Sequence, residues 1–123
     1  MDRRTLVSVV DDDESVRESL PDLLRELGFA AHAFESGEMF LTSDDLAKTK
    51  CVVLDVAMPR VSGLDVQREL KARRLEIPVV FITAHKDDSV RQRALEEGAA
   101  AYLLKPFSDT TLLQALRNAM NLS

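Results

Sequence analysis

The sequence predicts an α/β fold, a parallel sheet of five strands with five helices packed on its two faces. Two patterns carry that expectation. Five short apolar runs, Leu6–Val10, Phe29–Phe34, Lys50–Val56, Pro78–Thr83 and Ala100–Leu104, are each followed by a segment of helical character, and strand-then-helix alternation is the signature of a parallel sheet. The third run is apolar from Cys51 onward apart from Asp55, as in a strand buried on both faces. The connections are short, which favours right-handed crossovers. With 123 residues and no repeat, low-complexity stretch or linker, residues 1–123 read as one domain.

Leu6–Val10 stops abruptly at Asp11-Asp12-Asp13-Glu14. The helix that follows carries Val16, Leu20, Leu24 and Leu27 near the helical period, with Gly28 as its stop. Ser15 with Glu18 resembles a capping box at its start. Pro21 is discordant, because it removes a backbone donor inside the segment and predicts a local kink. Ser36 caps a helix running to about Leu41, and Ser62 opens the next, with Leu64 and Leu70 facing inward. Asp88–Glu97 is a fourth helix closed at Gly98, and Ser108 caps a fifth that carries Leu112, Leu116 and Met120.

Composition narrows the function. Acidic residues outnumber basic ones 21 to 16, a formal charge of -5, which disfavours direct nucleic-acid binding. No apolar run approaches the ~20 residues of a membrane span, and Met1-Asp2-Arg3-Arg4 leads into no signal-peptide core. A cytoplasmic location is the simplest expectation. Cys51 is the single cysteine and lies in an apolar run, so it reads as a buried, inert thiol.

In open parallel sheets, ligands bind at the carboxyl edge of the strands. Four of the five runs end there in a residue with chemical potential: Asp11-Asp12, Asp55, Thr83 and Lys105. Three carboxylates in one crevice repel one another and need a cation. A hard divalent ion with oxygen ligands, magnesium above all, suits them. Lys105 and Thr83 then complement an anion sharing the crevice, as a phosphoryl group would. Each residue taken alone has a plainer reading. Asp11 to Glu14 could be an acidic helix start, Thr83 an ordinary strand residue and Lys105 a surface lysine. Asp55 resists this, since a carboxylate after Val52-Val53-Leu54 is costly to bury unpaired. The joint placement is what speaks.

Val10-Asp11-Asp12-Asp13, Leu54-Asp55-Val56-Ala57-Met58-Pro59 with Ser62-Gly63, Phe81-Ile82-Thr83-Ala84 and Lys105-Pro106-Phe107 stand in an order and spacing that resembles the CheY-like receiver domain of response regulators. The likeness covers essentially the whole chain, and His85 with the Lys105-Pro106-Phe107 ending is similar to the FixJ-like branch. The resemblance implies a flavodoxin-like, doubly wound sheet of order 2-1-3-4-5. It implies a two-component signalling protein, not a conventional enzyme, that takes a phosphoryl group from a sensor histidine kinase.

Carried over by position, the resemblance makes Asp55 the phospho-acceptor. It makes Asp12, Asp55 and the Ala57 carbonyl direct ligands of magnesium, with Asp11 acting through a coordinated water. Thr83 would bond a phosphoryl oxygen, Lys105 would neutralise charge, and Tyr102 would be the switch aromatic. The Lys105-Pro106 bond is expected to be cis. Ala57 and His85 occupy positions that tune the phosphoryl lifetime. The output is not legible. A C-terminal DNA-binding module beyond Ser123 and a phosphorylation-dependent homodimer are both compatible with the resemblance.

Other readings are weaker. A haloacid-dehalogenase-like phosphatase would want a second Asp two residues after the nucleophile, where Ala57 stands. A phosphorylation-independent binding module would have no need of Asp12, Asp55, Thr83 and Lys105 together. Calcium binding through Asp11 to Glu14 fails because an EF-hand loop alternates its oxygens and these acids are consecutive.

Overall fold

The computed structural model describes residues 4–122; residues 1–3, which begin the Met1-Asp2-Arg3-Arg4 stretch, and Ser123 lie outside the described residues. Strands β1 (Leu6–Val10), β2 (Ala30–Phe34), β3 (Cys51–Asp55), β4 (Val79–Thr83) and β5 (Ala101–Leu104) form one parallel sheet in the order β2-β1-β3-β4-β5. Helices α1 (Glu14–Glu26), α2 (Gly37–Leu41), α3 (Gly63–Ala72), α4 (Asp88–Glu96) and α5 (Asp109–Ala119) follow the strands in turn. A 3-10 turn at Leu46–Lys48, before β3, is an element the sequence pattern did not suggest. Among the described residues no helix is long and apolar enough to cross a membrane.

Strand side chains alternate between the two faces, and this divides the core into two layers. Val7, Val9, Cys51, Val53, Val80 and Ile82 face α1 and α5, where Leu20, Leu24, Leu112 and Leu116 cover them. Val10, Val52, Leu54, Val79 and Phe81 face the other way, against Phe40 of α2, Leu64, Val66 and Leu70 of α3 and Ala94 of α4. Both faces of the central strands are dry, so β1, β3 and β4 are apolar apart from Ser8 and the strand-ending Asp55 and Thr83. The Ser8 hydroxyl is bonded to that of Thr49 at 2.7 Å. Burial pushes the Cys51 thiol up to about 12, which leaves it protonated and inert.

Helix starts follow the expected chemistry with one correction. Ser36, Ser62 and Ser108 cap α2, α3 and α5, and Ser62 with Asp65 forms a full capping box. At α1 the cap is Asp13, not Ser15: its Oδ1 accepts from the Ser15 amide at 2.9 Å and the Ser15 hydroxyl at 2.8 Å. A carboxylate placed two residues earlier also meets the positive end of the helix dipole. Pro21 is buried and lies inside α1 without ending it.

Four helices end in the same way. The residue after the cap, Gly28, Arg74, Gly98 or Asn121, has positive φ. Its amide bonds back to Arg25, Lys71, Leu95 or Asn118, and the next amide to Leu24, Leu70, Ala94 or Arg117. This paired arrangement satisfies the last carbonyls and favours glycine at the left-handed position. Arg74, at φ 59, is the misfit. Arg74→Gly is expected to relieve about 1 kcal/mol of steric conflict. Part of that is offset by the freer unfolded chain, so a net gain of roughly 0.5 kcal/mol should appear in urea denaturation. Gly28→Ala, at φ 102, should move the midpoint the opposite way.

Candidate functional site

The chain leaves β1 outward to β2 and crosses back to β3 on the other side. That reversal opens a crevice at the carboxyl ends of β1 and β3. The residues around it are fixed by backbone bonds that extend the ladder past the strand ends. The Asp11 amide donates to Phe34 O at 3.1 Å, the Val56 amide to Ile82 O at 3.1 Å, and the Lys105 amide to Thr83 O at 2.7 Å. Each chemical side chain therefore stands on or beside a residue held by the neighbouring strand.

Three of the expected site residues converge closely. Carboxylate oxygens of Asp11, Asp12 and Asp55 all lie within 4.8 Å of one another. Asp11 is fully buried, Asp55 is 7% exposed and Asp12 is open to solvent. Lys105 reaches across from β5, its Nζ 3.0 Å from Asp11 Oδ2. The Asp13 amide donates to Asp11 Oδ1 at 2.9 Å, and Arg17 donates to the Asp11 carbonyl at 3.1 Å. Asp11 is thus the best-supported charge of the set.

Asp55, also buried, is less well supported than Asp11. Its Oδ1 accepts from the Ala57 amide at 3.3 Å, a long bond. Burial, followed by the charge of Asp11, pushes its carboxyl up to about 7, against opposition from Lys105. A site of oxygen donors only, crowded enough to hold a proton near neutrality, fits a hard divalent cation, which would replace the proton as the source of positive charge.

Thr83 ends β4 buried, and its hydroxyl is tied to its own loop: Oγ1 accepts from the His85 amide at 3.1 Å and lies 3.4 Å from the His85 carbonyl. The His85 side chain is exposed, as is Ala57. Tyr102 is half-buried beside Thr83's strand, its ring 6.2 Å from that of Phe81 and tilted by 51°. Burial and then Asp87 hold its phenol above the ordinary value. The Lys105-Pro106 peptide is cis.

Two features of the β3–α3 loop have a structural reason that the sequence does not show. A Cβ on Gly63 would run into the Asp55 carbonyl oxygen and would lie 3.0 Å from the Phe81 ring and from Val56 Cα. The Gly63 amide donates to Val56 O at 2.9 Å. Only glycine lets α3 begin directly beneath the end of β3. A glycine straight after a serine cap, just past an acidic strand end, is the signal that could have revealed it. Arg60, at φ 65, centres a γ-turn closed by the Val61 amide on Pro59 O at 2.8 Å. The Lys105–Asp11 pair was also not foreseen, since the sequence shows two strand ends but not which acid the lysine meets.

Residues 7–117 match the response regulator receiver domain family. The chain is 39% identical over 122 residues to the response regulator protein TodT of Pseudomonas putida, spanning 99% of this chain and 54% of that protein. It is 39% identical over 117 residues to the transcriptional regulatory protein FixJ of Azorhizobium caulinodans, spanning 95% and 56%. The chain therefore covers about half the length of these relatives. The crystal structure of FixJ-N superposes with a TM-score of 0.87 at 34% identity, over 98% of this chain and 96% of that one. Sheet order, helix placement and sequence agree, and the chain belongs to the response regulator receiver domain family, the phospho-accepting module of two-component signalling.

Proposed function

We infer that Asp55 is the phospho-acceptor, that Mg2+ is the metal of the crevice, and that a sensor histidine kinase is the donor. The convergence of Asp11, Asp12 and Asp55 beside Lys105 is the observation that carries this reading. Asp12, Asp55 and the Ala57 carbonyl would hold the ion directly and Asp11 through a coordinated water. When bound, the ion supplies charge neutralisation to the phosphoryl oxygens.

Asp55 Oδ attacks phosphorus as the P–N bond of a phosphohistidine breaks, and the bonding pair leaves on the imidazole nitrogen. A carboxylate, not a carboxyl, is required, so the nucleophile must give up the proton that burial favours. Lys105 Nζ is poised to leave Asp11 and follow the arriving charge. Such transfer needs positioning and electrostatics more than covalent help. Thr83 would then turn its hydroxyl from the His85 backbone to a phosphoryl oxygen, and Tyr102 would rotate inward behind it. That is a two-state element biased by a local charge.

In the cytoplasm, the changed face near Tyr102 would act on a C-terminal DNA-binding module of a longer regulator or on a second copy of the chain. The test is acetyl phosphate with Mg2+, read by mass spectrometry. One phosphoryl group should add, and chelator or Asp55→Asn should abolish it. Persistent labelling of Asp55→Asn would move the acceptor elsewhere. His85→Ala should shorten the phospho-aspartate half-life if His85 shields the acyl phosphate from water, and an equal half-life removes that role.

A further inference from the structure

Arg17, in the first turn of α1, sends its guanidinium back across the β1–α1 loop, as long helical side chains do. Its Nη1 donates to the Asp11 carbonyl at 3.1 Å. That bond fills a missing rung of the sheet. Between β1 and β2 the Ala30 amide donates to Thr5 O, Val10 stands opposite Phe34, and the Asp11 amide donates to Phe34 O. The same spacing would hand the Asp11 carbonyl to the Ser36 amide. The chain has left β2 at Phe34, however, and Ser36 caps α2. Arg17 supplies a donor in its stead.

What the bond holds is the peptide plane between Asp11 and Asp12. Asp11 is anchored without it, its amide by Phe34 O and its carboxylate by Lys105 and the Asp13 amide. Asp12 follows the held plane. It is the exposed member of the three carboxylates gathered within 4.8 Å. Like charges push the most exposed of them outward, and rotation of the Asp11–Asp12 peptide is the motion that would release it.

We propose that Arg17 is a positioning residue for metal binding: by holding the Asp11 carbonyl, it keeps the Asp12 carboxylate with those of Asp11 and Asp55 before the cation arrives. The inference rests on the reading that Mg2+ is the metal of the crevice. It also predicts a sign. A guanidinium close to the acids repels a dication, so by electrostatics alone Arg17→Ala would bind Mg2+ more tightly. Loss of a partner that orients the ligand set weakens binding instead, by about tenfold.

The experiment is an NMR titration of the unphosphorylated chain with MgCl2 at pH 8 and constant ionic strength, preceded by backbone 15N relaxation in chelator. Arg17→Ala is expected to raise the Mg2+ Kd about tenfold. In chelator it should lower the order parameter of the Asp12 amide and leave that of Val10 unchanged. Arg17→Met keeps an unbranched stem without the donor and should behave alike; it carries the test if the alanine variant loses its dispersed spectrum. Arg25→Ala removes the guanidinium that α1 donates to Ala31 O at 2.7 Å. It should leave the Kd as it was, which separates the role of Arg17 from general loosening of α1. An unchanged or lower Kd in Arg17→Ala overturns the proposal, as does an equal loss in Arg25→Ala or an Asp12 amide that stays fully ordered. An unsubstituted chain with no saturable Mg2+ binding overturns the crevice reading and this inference with it. Binding that is present there and unaltered by Arg17→Ala overturns this inference alone.

Discussion

In chelator at pH 8, Asp55→Asn is expected to unfold at a higher temperature and urea concentration than the unsubstituted chain. The Asp55 carboxyl titrates near 7 in the folded chain, against an ordinary 3.8, because burial and the Asp11 charge both disfavour its ionised form. Well below 3.8 the group is protonated folded or unfolded and contributes nothing to the difference. As pH rises toward 7, the unfolded chain releases its proton while the folded chain keeps it, so stability falls. Above 7 the loss is complete.

Asparagine has no charge to bury and keeps an oxygen for the Ala57 amide. Its advantage should therefore be nearly absent at pH 2.5, appear as pH passes 3.8, grow to neutrality and level off by pH 8 at about a few kcal/mol. Saturating Mg2+ should shrink or reverse it, because the carboxylate then gains a ligand that the amide binds poorly. A gap between the two proteins that stays constant from pH 4 to pH 8 would show that the acids do not repel as their approach to within 4.8 Å implies.

Gly63→Ala should be the most damaging small substitution in the chain. By helix propensity alone, alanine would stabilise the first turn of α3 by about 1 kcal/mol. The contact works against it: the new methyl would overlap the Asp55 carbonyl oxygen and crowd the Phe81 ring. Asp55 lies in a strand paired on both sides and Phe81 is fully buried, so neither can move aside cheaply. Overpacking of this kind costs about 3 kcal/mol at its upper end, which outweighs propensity. A loss of roughly 2 kcal/mol in urea denaturation is expected, along with slower labelling by acetyl phosphate as Asp55 is displaced. Gly37→Ala should also cost stability, by less, because its methyl would meet only side-chain methyl groups of Val66, which is fully buried in α3, and of Val61. A Gly63→Ala protein as stable as the original would mean α3 can shift as a body.

Most of the architecture was written in alternation. Val7, Val9 and Val10 in one strand, and Val52, Val53 and Leu54 in the next, need partners on both faces, and that demand alone specifies a covered parallel sheet. The carboxyl-edge rule then brings Asp11, Asp12, Asp55, Thr83 and Lys105 toward one place. Sequence could not show the ionic partners within that place, because Lys105 and Asp11 are 94 residues apart and their pairing depends on side-chain reach. It also could not rank Asp13 above Ser15 as the α1 cap, since both residues can accept from a nearby amide and only backbone angles separate them. The bond from Arg17 to the Asp11 carbonyl was invisible for a different reason. A charged residue on an amphipathic helix reads as solvated until its neighbours are known.

The three amides of Asp11, Val56 and Lys105 have a bearing on how quickly the protein can respond. Because they are clamped by adjoining strands and not by loop contacts of their own, their deuterium uptake should track the interior and not the surrounding turns. Recognition of a donor would then begin from a frame already set, with the Lys105 ammonium, the Thr83 hydroxyl and the Tyr102 ring left to relocate.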